Sequence, residues 1–253
     1  MKRIITAAVA IPFALGITLY APTWLFATVV GAFAALMLDE YFEMTVAAGG
    51  ARPGRWFLVP GGLVAASFAG GIPWIMTSLA VTTLCLMTSC IFASIGTTLP
   101  RVAAGLSGVV YCSFLSGFFL MLSRDSILVL FAIVWAGDVA AYYGGRTLGR
   151  HALAPKVSPN KTIEGAIAGL VASIVAGTIV GIWRYSATSW VSLAGICAVT
   201  AIAGQIGDLA ESALKRSAGI KDSSSILPGH GGILDRLDSL LFAAPVFFSL
   251  IKV

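Results

Sequence analysis

Charge is scarce in this sequence: Asp, Glu, Lys and Arg together make up 11% of its 253 residues. A soluble domain of this size keeps a charged surface. With 58% hydrophobic residues and a mean hydropathy of +0.95, the chain is excluded from that class. Cysteine is also sparse. Cys85, Cys90, Cys112 and Cys197 lie inside apolar runs with no C-x-x-C spacing, which points to inert buried thiols and not to a disulfide or metal site. No G-x-x-x-x-G-K-[ST] occurs, which excludes a P-loop enzyme. There is no low-complexity linker, convincing internal repeat or soluble domain, and no nucleic-acid partner is expected.

What is present is a succession of apolar runs, expected to form an all-α, polytopic bundle. Nine spans are read at 4–20, 24–38, 57–70, 72–92, 102–122, 126–143, 166–183, 190–206 and 239–251. The second, third and ninth fall short of the ~20 residues a full span prefers. Met1-Lys2-Arg3 leads into the first run without a small-residue cleavage site, so that run is expected to be a span and not a signal peptide. Gly70-Gly71-Ile72-Pro73 separates the third and fourth as a tight hairpin. The chain is read as one transmembrane domain, 1–253, with N-terminal helices in 1–125 and a catalytic half in 126–253.

Charge placement supports this count. Alternating from a cytoplasmic N-terminus, thirteen of the sixteen Lys and Arg fall on one side, and only Arg124, Arg184 and Lys252 on the other. The positive-inside rule makes the rich side cytoplasmic. The expected location is therefore the cytoplasmic membrane of a bacterium, with loops 144–165 and 207–238 facing the cytoplasm.

The stretch 207–238 breaks the apolar pattern. It holds five of the eleven carboxylates, four of the sixteen Lys and Arg, and one of the two histidines. Ionisable groups set against apolar runs are costly unless they have work to do. Asp208, Glu211, Ser212 and Lys215 fall at i, i+3, i+4 and i+7, one face of a helix. Ser223-Ser224-Ser225 leads to Pro228-Gly229-His230-Gly231-Gly232, backbone able to turn sharply and approach a ligand closely. Asp235, Arg236 and Asp238 open the final apolar run. Carboxylates at two helix ends, bridged by a glycine-rich loop, suit a divalent cation holding phosphates. The alternative for Asp208 is a helix-end ion pair with Lys or Arg.

A second polar stretch follows the sixth run. Asp138 ends an apolar helix with Tyr142 one turn on, then come Arg146, Arg150 and Lys156, and Ser158-Pro159-Asn160-Lys161-Thr162-Ile163-Glu164-Gly165 starts a helix. Free N–H groups there favour anions, and the cations make the loop a phosphate cradle. For Asp138, a helix-end pair with Arg146 is an equally complete explanation.

Both stretches resemble the phosphatidate cytidylyltransferase, or CDP-diacylglycerol synthase, family. Its signature is Ser-x-apolar-Lys-Arg, four residues, Lys-Asp, a spacer, then His-Gly-Gly-apolar-x-Asp-Arg-apolar-Asp. Ser212, Leu214, Lys215, Arg216, Lys221, Asp222, His230, Gly231, Gly232, Ile233, Asp235, Arg236 and Asp238 fill it without a gap. The second stretch is similar to the family's Asp-Thr-x-Ala-Tyr, Gly-Arg and Ser-Pro-Lys-Lys-Thr-x-Glu-Gly, with Val139 in place of the threonine and Asn160 in place of the first lysine of the pair.

The resemblance implies CMP transfer from CTP to phosphatidate at the membrane surface, with Mg²⁺ or another divalent cation. Asp208, Lys215, Arg216, Lys221, Asp222, His230, Asp235, Arg236 and Asp238 are then catalytic, with Asp208, Asp235 and Asp238 on the metal. Asp138, Tyr142, Arg146, Ser158, Lys161, Thr162, Glu164 and Ser212 are on the substrates. Membrane lipid is a further partner, and a homodimer is allowed.

The remaining charges carry simpler readings. Arg52, Arg55 and Arg101 read as orientation signals, and Asp39, Glu40 and Glu43 as a solvated face at the end of the second run. A secondary transporter would gather charge at the midplane, whereas here it collects at one face. A CDP-alcohol phosphatidyltransferase would need a spaced aspartate motif that Asp235-x-x-Asp238 does not reproduce.

Overall fold

The computed structural model describes residues 2–185, 189–226 and 231–251, with side chains from residue 11 onward. Every apolar run expected to span falls on a helix. These are α1 (Lys2–Tyr20), α2 (Thr23–Ala47), α3 (Leu58–Ala66), α4 (Ile72–Ile91), α5 (Ile95–Leu120), α6 (Arg124–Leu148), α7 (Ile163–Arg184), α8 (Trp190–Ser217) and α9 (Leu234–Leu250). Among the described residues, six are long and apolar enough to cross a membrane: α2, α4, α5, α6, α7 and α8. The chain has the make-up of an all-α, multi-pass membrane protein.

Helix ends depart from the hydropathy boundaries because hydropathy marks what suits lipid, not where a helix stops. The second apolar run gives out at Leu38, yet α2 continues through Asp39, Glu40 and Glu43 to Ala47. It closes at Gly49, whose φ of 83° is open to glycine without steric cost. α8 likewise runs on to Ser217, carrying the polar face of Asp208 to Lys215 as continuous helix. α3 is only nine residues, flanked by 3₁₀ turns at Arg55–Phe57 and Ser67–Gly70. The expected hairpin then turns at Gly71, φ 83°.

The chain divides into two compact units. One comprises Met1–Met121 with Leu214–Leu237, the other Leu122–Ala213 with Asp238–Val253. In the first, α2 and α3 approach at paired glycines: a Cβ on Gly62 would stand 2.7 Å from the Gly31 carbonyl oxygen. In the second, α7 buries Gly165, Gly169, Ser173, Gly177 and Gly181 at intervals of four. A Cβ on Gly169 would come within 2.9 Å of the Gly137 carbonyl of α6, so the small-residue stripe lets the two backbones meet. Its opposite face leaves Ile167, Val171, Val175 and Ile179 exposed, as expected of side chains that meet lipid.

One short sheet interrupts the helices. Ala152–Ala154 and Ser158–Thr162 pair antiparallel, within the stretch 144–165 whose sequence alone suggests a loop.

Candidate active site

In the first unit, the described residues between α8 and α9 are held by two carboxylates. Gly219, φ 68°, closes α8, and the Ile220 N–H donates to the Lys215 carbonyl at 3.0 Å. Lys215 Nζ then donates to Asp235 Oδ1 at 2.6 Å, both side chains being largely buried. Asp235 Oδ2 accepts from the N–H groups of Gly232 at 2.7 Å and Ser223 at 2.9 Å. Burial opposes the charged form of Asp235. The Lys215 ammonium and these two N–H groups outweigh it and hold the carboxyl below its usual range.

The second carboxylate is Glu40, which reverses its sequence reading. Glu40 belongs to no solvated face: it is 2% exposed, whereas its neighbours Asp39 and Glu43 pair with Arg52. Its Oε1 accepts from Ser224 Oγ at 2.6 Å and the Ile233 N–H at 2.9 Å. Its Oε2 accepts from Ser223 Oγ at 2.9 Å and the Leu234 N–H at 2.8 Å. The first free N–H groups of α9 are thus capped by an acid on α2, the favoured charge at that helix end. Ser223 Oγ also lies 3.0 Å from Asp235 Oδ2, so its one proton is shared between two acids.

This frame explains the paired glycines. Gly231 has φ 77°, and a Cβ there would stand 2.5 Å from Asp235 Oδ2. A Cβ on Gly232 would meet Ser223 Oγ and come within 2.5 and 2.6 Å of the two Glu40 oxygens. Gly232→Ala is expected to lower the melting temperature and abolish activity together, because rigid, hydrogen-bonded atoms occupy the space. Thermal unfolding of the purified variant beside wild type checks this.

The other signature residues of this unit face outward. Lys221, Asp222, Arg216 and Arg236 are exposed. Arg216 donates to the Ile220 carbonyl at 3.1 Å, and Lys221 makes no hydrogen bond or ion pair among the described residues. His230, with Pro228 and Gly229, lies outside the described residues.

In the second unit, carboxylates gather around Asp238. A Cβ on Gly207 would stand 2.7 Å from the Asp238 carbonyl, so α8 and α9 touch there. Asp238 is buried, its Oδ1 accepting from the Ser239 N–H at 2.7 Å, and Glu211 is fully buried. Burial first, then the Asp208 and Glu211 carboxylates, push the Asp238 carboxyl well above its usual range, with Asp138 contributing less. Lys161 pairs with Asp208, which is the ion pair the sequence left as an alternative.

The remaining residues of the second stretch have local roles in the structure. Thr162 caps α7, its Oγ1 accepting from the Gly165 N–H at 3.1 Å. Glu164 accepts from the N–H groups of Arg150 and His151 at 3.1 and 3.2 Å and meets His151 Nδ1 at 2.6 Å, holding the hairpin onto α7. Ser158 pairs with Ala154 in the hairpin. Tyr142 and Arg146 are exposed and touch each other at 3.5 Å, and Ser212 is buried.

Asp208, Glu211 and Asp238 offer hard oxygens in a locally acidic setting, as Mg²⁺ prefers. Among the described residues no three His, Cys, Asp or Glu side chains enclose an ion. Asp235 already has both oxygens engaged, so a cation there would compete with Lys215.

Comparison with known proteins covers more of the chain than the two motifs do. A model of the cytidylyltransferase family matches residues 1–253. A Brucella suis protein named phosphatidate cytidylyltransferase is 46% identical over 123 residues, which is 49% of this chain and 45% of that protein. One of the same name from Staphylococcus aureus strain COL is 45% identical over 121 residues, 47% and 46% of the two chains. The matched part of the chain thus spans about half the length of these relatives.

Proposed function

Because the chain belongs to the cytidylyltransferase family, we propose that it transfers CMP from CTP to phosphatidate, forming CDP-diacylglycerol and pyrophosphate. A phosphate oxygen of the lipid attacks the α-phosphorus of CTP, and the bond to the bridging oxygen breaks as pyrophosphate leaves. The nucleophile is already anionic and needs no strong base. The protein must hold two anions together and offset their charge, which is work for Lys, Arg and a metal.

One observation supports this reading above others: the two motifs supply a carboxylate cluster and several cations in a chain otherwise poor in charge. Asp208 and Asp238 would hold a divalent cation, which when bound neutralises phosphate charge. Lys215, Asp235 and Glu40 fix the loop that carries Lys221, and Arg216 and Arg236 flank that loop. Lys161 offers a further cation from its hairpin. Purified protein incubated with phosphatidate, Mg²⁺ and each of the four nucleoside triphosphates tests the proposal. CDP-diacylglycerol should appear with CTP, and equal turnover of all four would refute it.

The same reading places nine spans in the cytoplasmic membrane of a bacterium, with the N-terminus and both motif loops on the cytoplasmic side. The charge asymmetry motivates it, and one contact in the second unit supports it: Arg184, one of the three cations assigned to the opposite side, pairs with Asp125, the neighbour of Arg124, at 3.2 Å. Single cysteines at Ser158 and Ser224, in a background lacking the four native ones, are expected to resist impermeant reagents applied from outside. Labelling of either would overturn the topology.

Lys221 is expected to contact a substrate phosphate, since it sits exposed and unengaged among the described residues. Lys221→Ala should lower kcat/KM at least about tenfold, the equivalent of one charge-assisted hydrogen bond, without changing expression or detergent behaviour. Unchanged kcat/KM for both substrates would leave Lys221 as an orientation charge.

A further inference from the structure

Away from the signature, the first unit carries a cleft of about 520 Å³, lined by Arg52, Gly54, Arg55, Trp56, Ser89 and Arg101. Three guanidinium groups around one opening are conspicuous in a chain with so few charges. Orientation in the membrane asks only that they be on the correct side, not that they converge.

Their partners differ. Arg52 is tied to Asp39 at 2.7 Å and to Glu43, and lies 5.7 Å from the centre of the Phe42 ring, so its charge is offset within the fold. Arg55 and Arg101 make no ion pair or hydrogen bond among the described residues. The Nε of Arg101 is buried and has no hydrogen-bond partner. A buried donor without an acceptor is costly, and a guanidinium nitrogen more so than an amide.

The shape of the cleft fits the same need. A Cβ on Gly54 would stand 2.7 Å from the Trp56 ring, so glycine lets the indole fold back over the loop while remaining half exposed. Pro53 packs near Gly105 of α5, which anchors the loop beside Arg101. An indole at the rim suits a membrane–water boundary. The space is many times the roughly 30 Å³ that one water occupies.

We propose that this cleft binds a phosphate-bearing anion through Arg55 and Arg101, with Arg52 held as its wall. Planar guanidinium forks match phosphate oxygens in pairs, and Arg55 and Arg101 both line the cleft with no acid of the described residues to offset them. The phosphate can belong to an anionic lipid headgroup or to a soluble phosphate. The site uses none of the signature residues and is measurable without CTP, so it stands or falls apart from the proposed reaction.

The test uses the full-length protein in detergent, with wild type, Arg55→Gln, Arg101→Gln and Arg101→Lys compared. In one arm, native mass spectrometry counts phosphatidylglycerol bound at rising lipid concentration, with zwitterionic phosphatidylcholine as control. In the other, calorimetry measures inorganic phosphate and pyrophosphate, and each is tried as a competitor of the lipid. Wild type should bind phosphatidylglycerol or the soluble anion at least about tenfold more tightly than either Gln variant. Arg101→Lys, which keeps the charge but not the fork, should lose less. Binding of the lipid without competition assigns a headgroup; binding and competition by the soluble anion assigns a free phosphate. Arg55 is exposed and its replacement spares the fold, so Arg55→Gln protein that binds both probes like wild type overturns the proposal.

Discussion

Glu40→Gln is expected to cut CDP-diacylglycerol formation at least about tenfold, although Glu40 lies far in sequence from the signature. Its two oxygens receive four hydrogen bonds, from the hydroxyls of Ser223 and Ser224 and the N–H groups of Ile233 and Leu234. The amide keeps the size but replaces one acceptor with a donor, so two of the four donors face an N–H₂. Each buried donor left unsatisfied costs about 1–3 kcal/mol, enough to release the segment that carries Lys221 and the paired glycines. Glu40→Ala removes all four acceptor sites and should lower the melting temperature further. Hydrogen exchange reads the cause directly: amides of 223–226 and 231–234 should lose protection in Glu40→Gln while those of α4 keep theirs. Wild-type turnover with wild-type protection would show that the four bonds do not hold the loop.

Asp208→Asn carries the largest expected loss, at least about a hundredfold in kcat, since even outer partners of metal ligands cost 10–100-fold when removed. The substitution keeps the shape but removes one charge from the cluster around Asp238 and frees Lys161 from its partner. Two readings then separate. If Asp208 holds a cation, binding of Mn²⁺ measured without substrate weakens, and activity needs far more metal. If Asp208 only anchors Lys161, metal binding stays as in wild type, and Lys161→Ala reproduces the defect. Wild-type turnover at the same metal concentration would remove Asp208 from the site, leaving Asp138 as the next carboxylate to test.

Much of the helical layout was legible because apolar runs of membrane length have few other ways to fold. Their ends were not, as α2 shows: lipid-facing hydropathy stops at Leu38, but nothing in Asp39 or Glu40 breaks a helix. The polar face from Asp208 to Lys215 was readable from spacing alone, and so was the need for flexible backbone at Gly231 and Gly232. What spacing could not supply was the partner. Asp208 meets Lys161 across 47 positions, and the capping of α9 comes from a helix nearly two hundred residues earlier. A signal for Glu40 did exist. It stands three residues after Met37 and four before Met44, both buried, so it shares their face. An acid on the apolar stripe of a spanning helix is a functional candidate by position. The convergence of Arg52, Arg55 and Arg101 had no such signal, because it depends on how the loop before α3 meets α4 and α5.

Which bond of CTP breaks, and what accepts the fragment, can be read from positional labelling. Purified wild-type protein would be given phosphatidate with CTP labelled at the α-phosphate in one reaction and at the γ-phosphate in another. Diacylglycerol would replace phosphatidate in a parallel pair. The α-label should enter lipid only with phosphatidate, and the γ-label should appear only in pyrophosphate. Lipid that acquires γ-label, from either acceptor, would make the protein a kinase and contradict the proposed CMP transfer.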